Sequence, residues 1–565
     1  MAGVAAPRPI ASTAPTLPRM HGGGGGWRAG LWLAALASLL PVLALAWVAV
    51  QGSGGLWSHL LAHVLPRATL NTALLLAGVG LVAGVIGTGC AWLVSAYRFP
   101  GRGVLGWMLL LPLAVPTYIV AYAYIDLLHP LGPLQGALRA LLGFDSPREW
   151  RLPDLRSLPL AIMLIGLVLY PYVYLTMRAL FATQSAGLIE AGRTLGLGRR
   201  AVFWKLVLPM ARPALAVGIA LVLLETLNDI GASEFLGVQT LTTAIHTTWV
   251  TRGDLAGAAQ IALALLALVL ALIALERHGR RRQRFAAGGQ RLRAIAPQPL
   301  GGRRGALAAL LCALPVLLGF VLPAMHLAWQ AFVRWREAGL SPGLLAAAGN
   351  TLQIALVATA ATVAIGLLLA WGLRLLQARG AAPGGLAAFR IATLGYALPG
   401  TVLALGLMAV LGATDAALGR ALLMGSFAAL VAAHVLRFLA VSAGTLDAGF
   451  ARVPASLDQA AASLGAGGWS RLWRVQLPLL RPALTAAALL VLVDSLKELP
   501  ATLMLRPMNF ETLSTWLYAE AARGTYEDGA VAGLLIVAAG LLPVAWLARN
   551  GLDAGAARGD AGHAG

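Results

Sequence analysis

The chain has 565 residues, 59% hydrophobic and 11% charged, with a formal net charge of +20. Soluble domains carry about 25% charged residues, so a soluble globular protein is excluded. The positive excess is arginine on short loops, the pattern of cytoplasmic loops in membrane proteins, and no nucleic-acid partner is expected. In chain order, residues 1–28 are rich in Pro and Gly, carry Arg8, Arg19 and Arg28, and read as a disordered basic cytoplasmic tail. The run 31–50 exceeds the apolar core of a signal peptide, about 7–15 residues, and reads as an uncleaved first span. Further apolar runs lie near 69–96, 104–128, 158–178, 211–236 and 254–276, so that 29–276 forms a first unit of six spans. Residues 277–304 hold nine arginines without apolar periodicity, a cytoplasmic linker expected to tether rather than fold. A second unit, 305–548, has runs near 305–331, 350–377, 389–412, 419–440, 481–505 and 526–548, and 549–565 is a cytoplasmic tail.

Each run is long enough to cross a bilayer core, and a backbone in lipid must satisfy its own hydrogen bonds, so the runs are helices. The fold class is an all-α polytopic membrane protein of about twelve transmembrane helices in two six-helix units. Arginine counts place both termini inside, together with Arg98, Arg102, the linker, Arg374, Arg379 and Arg390. Cys90 and Cys312 sit inside apolar runs and read as packing residues, not a disulfide.

The units repeat. A shift of 269 residues lays Glu190–Leu215 over Gln459–Leu484 with 11 identities in 26 positions, including Gly196/Gly465, Trp204/Trp473 and Pro209/Pro478. The register continues from "ETLNDIGASEFLG" to "DSLKELPATLMLR", and "LNTALLLAGVG" echoes "GNTLQIALVAT". Both units start inside and hold six spans, so the repeat is parallel, about an axis along the membrane normal. Each polar stretch reads as helix, glycine break, short amphipathic helix and re-entry at a proline. Two such loops, both cytoplasmic and related by a two-fold axis, suit docking of a symmetric partner.

At these residues the chain resembles the permeases of binding-protein-dependent ABC importers, whose loop signature is Glu-Ala-Ala, then Gly, then Leu-Pro. Glu190, Ala191, Gly192, Gly196 and Pro209 match it, as do Ala460, Ala461, Gly465 and Pro478, while Gln459 stands where Glu is expected. The resemblance implies a type I importer fold and a bacterial inner-membrane location. It implies coupling loops seated on two copies of a cytoplasmic ABC ATPase and a periplasmic substrate-binding protein as the donor. The chain has no GxxxxGK[ST] loop, and its two lysines, Lys205 and Lys497, do not follow glycine. ATP and Mg are thus expected on the partner, with no cofactor and no enzymatic activity in this chain.

Polar groups inside spans are costly and usually functional. Asp494, Lys497 and Glu498 can share a helix face, and their counterparts Glu225 and Asp229 make the pair of faces net negative. Counted from Pro482, Asp494 lies about 18 Å along a helix, past the middle of a core about 30 Å thick. Tyr118, Tyr122 and Asp126 follow one another at i, i+4 spacing, and Tyr170 and Tyr174 repeat it. Such oxygens suit a hard cation bound in transit, not a resident metal. The segments "VPTYIVAYAYIDLLHPLGPLQ", "GYALPGTVLALGL" and "DSLKELPATLMLRPMNFETLSTWLY" are similar to fused permeases of ferric-iron importers. That resemblance implies ferric iron as cargo, with thiamine or a phosphonate as the alternatives. An ion-gradient-driven secondary transporter is the rival class, and it has no need of paired cytoplasmic loops.

Overall fold

The computed structural model describes residues 24–53, 55–154, 156–183, 192, 194–281, 297–379 and 382–560. Most of the expected tail 1–28 lies outside the described residues, as do Glu190, Ala191, 282–296 of the linker and 561–565. Eleven of the described helices are long and apolar enough to cross a membrane, or twelve if one sharply bent pair counts as a single span. The one sheet among the described residues pairs Tyr97–Arg98 in parallel with Gln298–Pro299. Leu300 N–H also donates to the Arg98 carbonyl at 2.8 Å. The far end of the linker is therefore docked on the loop after the second span, not free along its whole length.

The units exchange their first spans. Gly24–Val50 packs on the second unit, where Trp27 meets Trp371 edge-on at 4.8 Å and Ser38 donates to the Ala392 carbonyl at 2.9 Å. Reciprocally, Gly302–Ala338 packs on the first unit, where the Tyr124 hydroxyl donates to the Leu318 carbonyl at 2.7 Å. Cys90 and Cys312 are buried free thiols at this second contact, and Cys90 Sγ lies 3.9 Å from the Leu311 carbonyl.

The repeat is visible bond by bond. Asn71 Nδ2 donates to the Gln239 carbonyl and Asn350 Nδ2 to the Glu511 carbonyl, both at 3.0 Å. Thr72 Oγ1 accepts Leu241 N–H at 3.0 Å and Thr351 Oγ1 accepts Leu513 N–H at 2.7 Å. The helices so tethered, Leu241–Val250 and Leu513–Arg523, both open on a capping box, Thr240 with Thr243 and Thr512 with Thr515. The echoed Asn-Thr of the sequence is this tether.

Proline decides where spans bend. Wide turns at Leu60–Val64, Phe203–Val207, Leu317–Val321 and Leu472–Gln476 each stop two residues short of a proline: Pro66, Pro209, Pro323 and Pro478. Proline lacks an N–H and its ring clashes with the carbonyl four residues back, and an inserted residue carries the helix past that clash. The amphipathic stretches expected to precede re-entry are consequently continuous with the spans they lead into, as in Gly468–Leu496.

The run 104–128 is bent by 91° between Arg102–Ala114 and Thr117–Leu127. Val115, before Pro116, is extended at φ −108° and ψ 121°, as the proline ring requires. Leu398, before Pro399, does the same in the second unit at φ −82° and ψ 126°. Runs 211–236 and 481–505 are also interrupted, as Leu208–Asn228 then Gly231–Phe235, and Leu477–Leu496 then Pro500–Leu505. Within a membrane such irregular backbone survives only buried in protein or along a cavity.

Candidate translocation site

Three of these breaks, with the end of the fourth helix pair at Tyr396, converge on a cavity of about 120 Å³ lined by both units. Its ionisable lining is Glu225, Asp229, Asp494 and Glu498 against Arg437 and Lys497, with Tyr118, Tyr172, Tyr396, Thr117 and Asn228 between them. Discontinuous helices near the midplane are where many transporters place their substrate.

The three charges expected on one helix face are divided by the helix end. Leu477–Leu496 stops just before Lys497, whose ammonium turns back to Asp494 at 3.0 Å. Glu498 instead faces Arg437 at 3.2 Å. It also accepts Ala501 N–H and Thr502 N–H at 2.8 Å and the Thr502 hydroxyl at 2.5 Å, capping the short helix Pro500–Leu505. Asp229 plays the matching part in the first unit, its Oδ1 accepting Ala232 N–H at 2.9 Å at the head of Gly231–Phe235. Asn228, at the position of Lys497, accepts Gly400 N–H at 3.1 Å, and Glu225 accepts the Tyr396 hydroxyl at 2.7 Å.

Not every expected residue reaches the cavity. Tyr118 lines it and donates to the Lys497 carbonyl at 3.4 Å. Tyr122 does not: its hydroxyl donates to the Tyr526 carbonyl. Asp126 bonds His326 Nε2 and Gln330 Nε2, each at 2.7 Å, and so anchors the exchanged span Gly302–Ala338. Running along Thr117–Leu127 carries both residues away from the Pro116 break. Tyr174 donates to the Gly106 carbonyl at 2.7 Å, and Tyr170 is buried outside the cavity. Arg437 escaped the sequence reading although a lone arginine within "AAHVLRFLAV" carries the ordinary signal of an intramembrane charge. Tyr172 and Tyr396 sat unremarked inside segments already singled out.

In the paired loops, Gln459, Ala460 and Ala461 belong to the helix Ala455–Ser463, which begins after Pro454. Gly465 follows at φ 80°, and Gly196 matches it at φ 84°. Gly192 is buried, and Pro209 and Pro478 each follow a wide turn. Asp458, not Gln459, carries the ionic contacts: it takes Arg374 Nη2 at 2.7 Å and Nε at 3.0 Å, and Gln476 Nε2 at 2.7 Å. Arg374 also donates to the Phe450 and Val453 carbonyls at 2.5 and 3.0 Å, tying the end of one span to the loop helix. Around both glycines large apolar side chains stand exposed, Leu195 and Leu464 at 83% and 87% and Trp204 and Trp473 with them, beside the exposed Lys205 and Arg474. Patches of that kind mark contact surfaces.

Residues 80–285 match the family model described as binding-protein-dependent transport system inner membrane component. Over 479 residues the chain is 26% identical to the Fe(3+)-transport system permease protein FbpB 2 of Haemophilus influenzae, covering 84% of this chain and 88% of that one. It is 31% identical to the molybdenum transport system permease protein ModB of Escherichia coli over 205 residues, 34% of this chain and 86% of the relative. With the sulfate transport system permease protein CysT of Escherichia coli the identity is 30% over 202 residues, 36% of this chain and 70% of that protein. Paired loops, the duplicated tethers and a cavity between broken helices agree with these matches: the chain belongs to the permeases of binding-protein-dependent ABC importers, as a fused two-unit, multi-pass inner-membrane protein.

Proposed function

We propose that this permease carries a metal cation, ferric iron, from a periplasmic binding protein to the cytoplasm. The charge of the cavity carries the reading. Lys497 and Arg437 each form an ion pair with another carboxylate, and Glu225 and Asp229 stand outside any ion pair among the described lining residues, so the lining is net negative. Molybdate and sulfate, the oxyanions of the element transported by ModB and of the anion named for CysT, would meet repulsion there. A hard cation finds carboxylate and phenol oxygens, and the iron permease of Haemophilus influenzae is a relative matched over most of both chains.

In this reading both termini are cytoplasmic, and the glycine-centred loops at Gly196 and Gly465 seat on two ATPase subunits that hold ATP and Mg. Their hydrolysis opens the cavity alternately to either face. Co-reconstitution with the ATPase and the binding protein tests it. Ferric uptake should require ATP and fall in Glu225→Gln and Asp229→Asn, while thiamine or a phosphonate should not be taken up. ATP-driven uptake of either of those instead of iron would overturn the assignment.

A further inference from the structure

Beyond the cavity, on the way to the outer face, three metal-ligating side chains from both units converge. Glu234 lies one helical turn past Gly231, a lining residue, in the same short helix. Its carboxylate is 3.9 Å from His246 Nδ1. Tyr518, from the second unit, brings its phenol close to the Glu234 carboxylate. Its ring meets His246 at 6.4 Å, nearly perpendicular, and stacks on Phe235 at 5.7 Å.

The repeat explains why these groups meet. His246 and Tyr518 each stand six residues after the first threonine of a capping box, Thr240 and Thr512, so they are symmetry mates facing one another across the two units. Glu234 has no such mate, since Leu503 occupies its matching place. The scaffold is therefore duplicated while the donors are not, giving one asymmetric set of carboxylate, imidazole and phenol instead of two copies of a structural contact.

We propose that Glu234, His246 and Tyr518 form an outer receiving site for a ferric ion, one turn above the central cavity; it rests on the reading of the cargo as iron. Two donors on one metal at bonds of about 2.1 Å can stand up to roughly 4.2 Å apart, and the observed 3.9 Å falls within that reach. Carboxylate and phenolate oxygens are hard donors. On binding, the Tyr518 phenol transfers its proton to solvent as its oxygen bonds the iron. Glu234 and His246 are partly open, with side chains 38% and 13% exposed, so an arriving ion has access.

Phenolate bound to Fe(III) gives a visible charge-transfer band, which a purely structural tyrosine does not. The full-length permease with its ATPase, in lipid nanodiscs, is titrated with ferric nitrilotriacetate. We expect a saturable band at one equivalent that Tyr518→Phe abolishes, and binding weakened at least about tenfold in Glu234→Gln and His246→Ala. Absence of a saturable band in the wild type, or its survival in Tyr518→Phe, overturns the site. Ferric uptake without the band would remove the site and leave the cargo assignment standing. The band without ATP-driven ferric uptake would support the site and remove the cargo assignment.

Discussion

The Glu498 carboxylate and the Arg437 guanidinium face each other at 3.2 Å, one from the break after Leu496 and the other from within Phe427–Ala451. The carboxylate is the more deeply buried, its side chain 1% exposed against 13% for the arginine. Removing one member of such a pair strands the other, at about 3–5 kcal/mol. Arg437→Met should therefore lower the thermal midpoint of the purified permease sharply. Glu498→Gln should be milder, because the arginine left behind keeps more access to water. Equal melting of both variants would contradict this assignment of the pair.

The two loop glycines make a second prediction. Both hold positive φ, 84° at Gly196 and 80° at Gly465, where a β-branched residue is an outlier. The space around each is open, so backbone strain and not a clash is the perturbation. Gly196→Val and Gly465→Val are expected to insert normally and to let the associated ATPase hydrolyse ATP, while uptake is lost. Wild-type uptake in both variants would separate loop shape from coupling.

Asp458 and Gln459 are adjacent, yet the structure gives them unequal work. Asp458 holds Arg374 and Gln476, whereas Gln459 is exposed. The family signature puts its acid at the position of Gln459, and here the acid one residue earlier turns inward to fix the loop helix. Asp458→Asn should reduce uptake per ATP hydrolysed well below that of Gln459→Ala, with both measured in the reconstituted complex. The reverse order would mean that the loop is held by its ATPase contact alone.

Much of the architecture was legible because apolar length, arginine bias and a shift of 269 residues are each properties of the sequence. The breaks were harder to see. A run such as 211–236 contains Glu225, Asn228 and Asp229, but polar residues inside a span do not by themselves show that Asn228 ends a helix. The site followed the same division. Glu225, Asp229, Asp494, Lys497 and Glu498 were found as charges within spans, and all line the cavity. Tyr122 and Asp126 were grouped with Tyr118 by helical spacing, but partners from the exchanged span and from Tyr526 claim them. An exchange of first spans between units leaves no local mark in either segment.

The linker prediction follows from Gln298–Pro299. Because that end pairs with Tyr97–Arg98, it is a contact and not only a leash. Two chains divided within 282–296 and co-expressed should restore uptake, since the docked end stays with the second unit. Removing 297–301 as well should lower uptake and the recovery of the two halves as a complex. Full function without those residues would show that the pairing is dispensable.

Asp494 and Lys497 decide between a structural pair and a wall of the pathway. Their 3.0 Å contact fits both, and both side chains remain partly accessible, 26% and 29% exposed, in a cavity that contains Glu225 and Asp229. A pair that only pins helices should tolerate joint removal, because no charge is then stranded. A pair that shapes the field of the cavity should not. Lys497 occupies the place of Asn228 in the other unit, so the scaffold accepts an uncharged side chain there. Asp494→Asn alone leaves Lys497 as a free cation facing the cargo and should abolish uptake. The Asp494→Asn/Lys497→Met double variant keeps the net charge of the cavity but removes a carboxylate from its wall. It should insert and melt like the wild type and still transport poorly, as measured by uptake and ATPase rate in the same vesicles. Recovery of wild-type uptake in the double variant would assign the pair to helix packing, leaving Glu225 and Asp229 as the acidic wall that meets the cation.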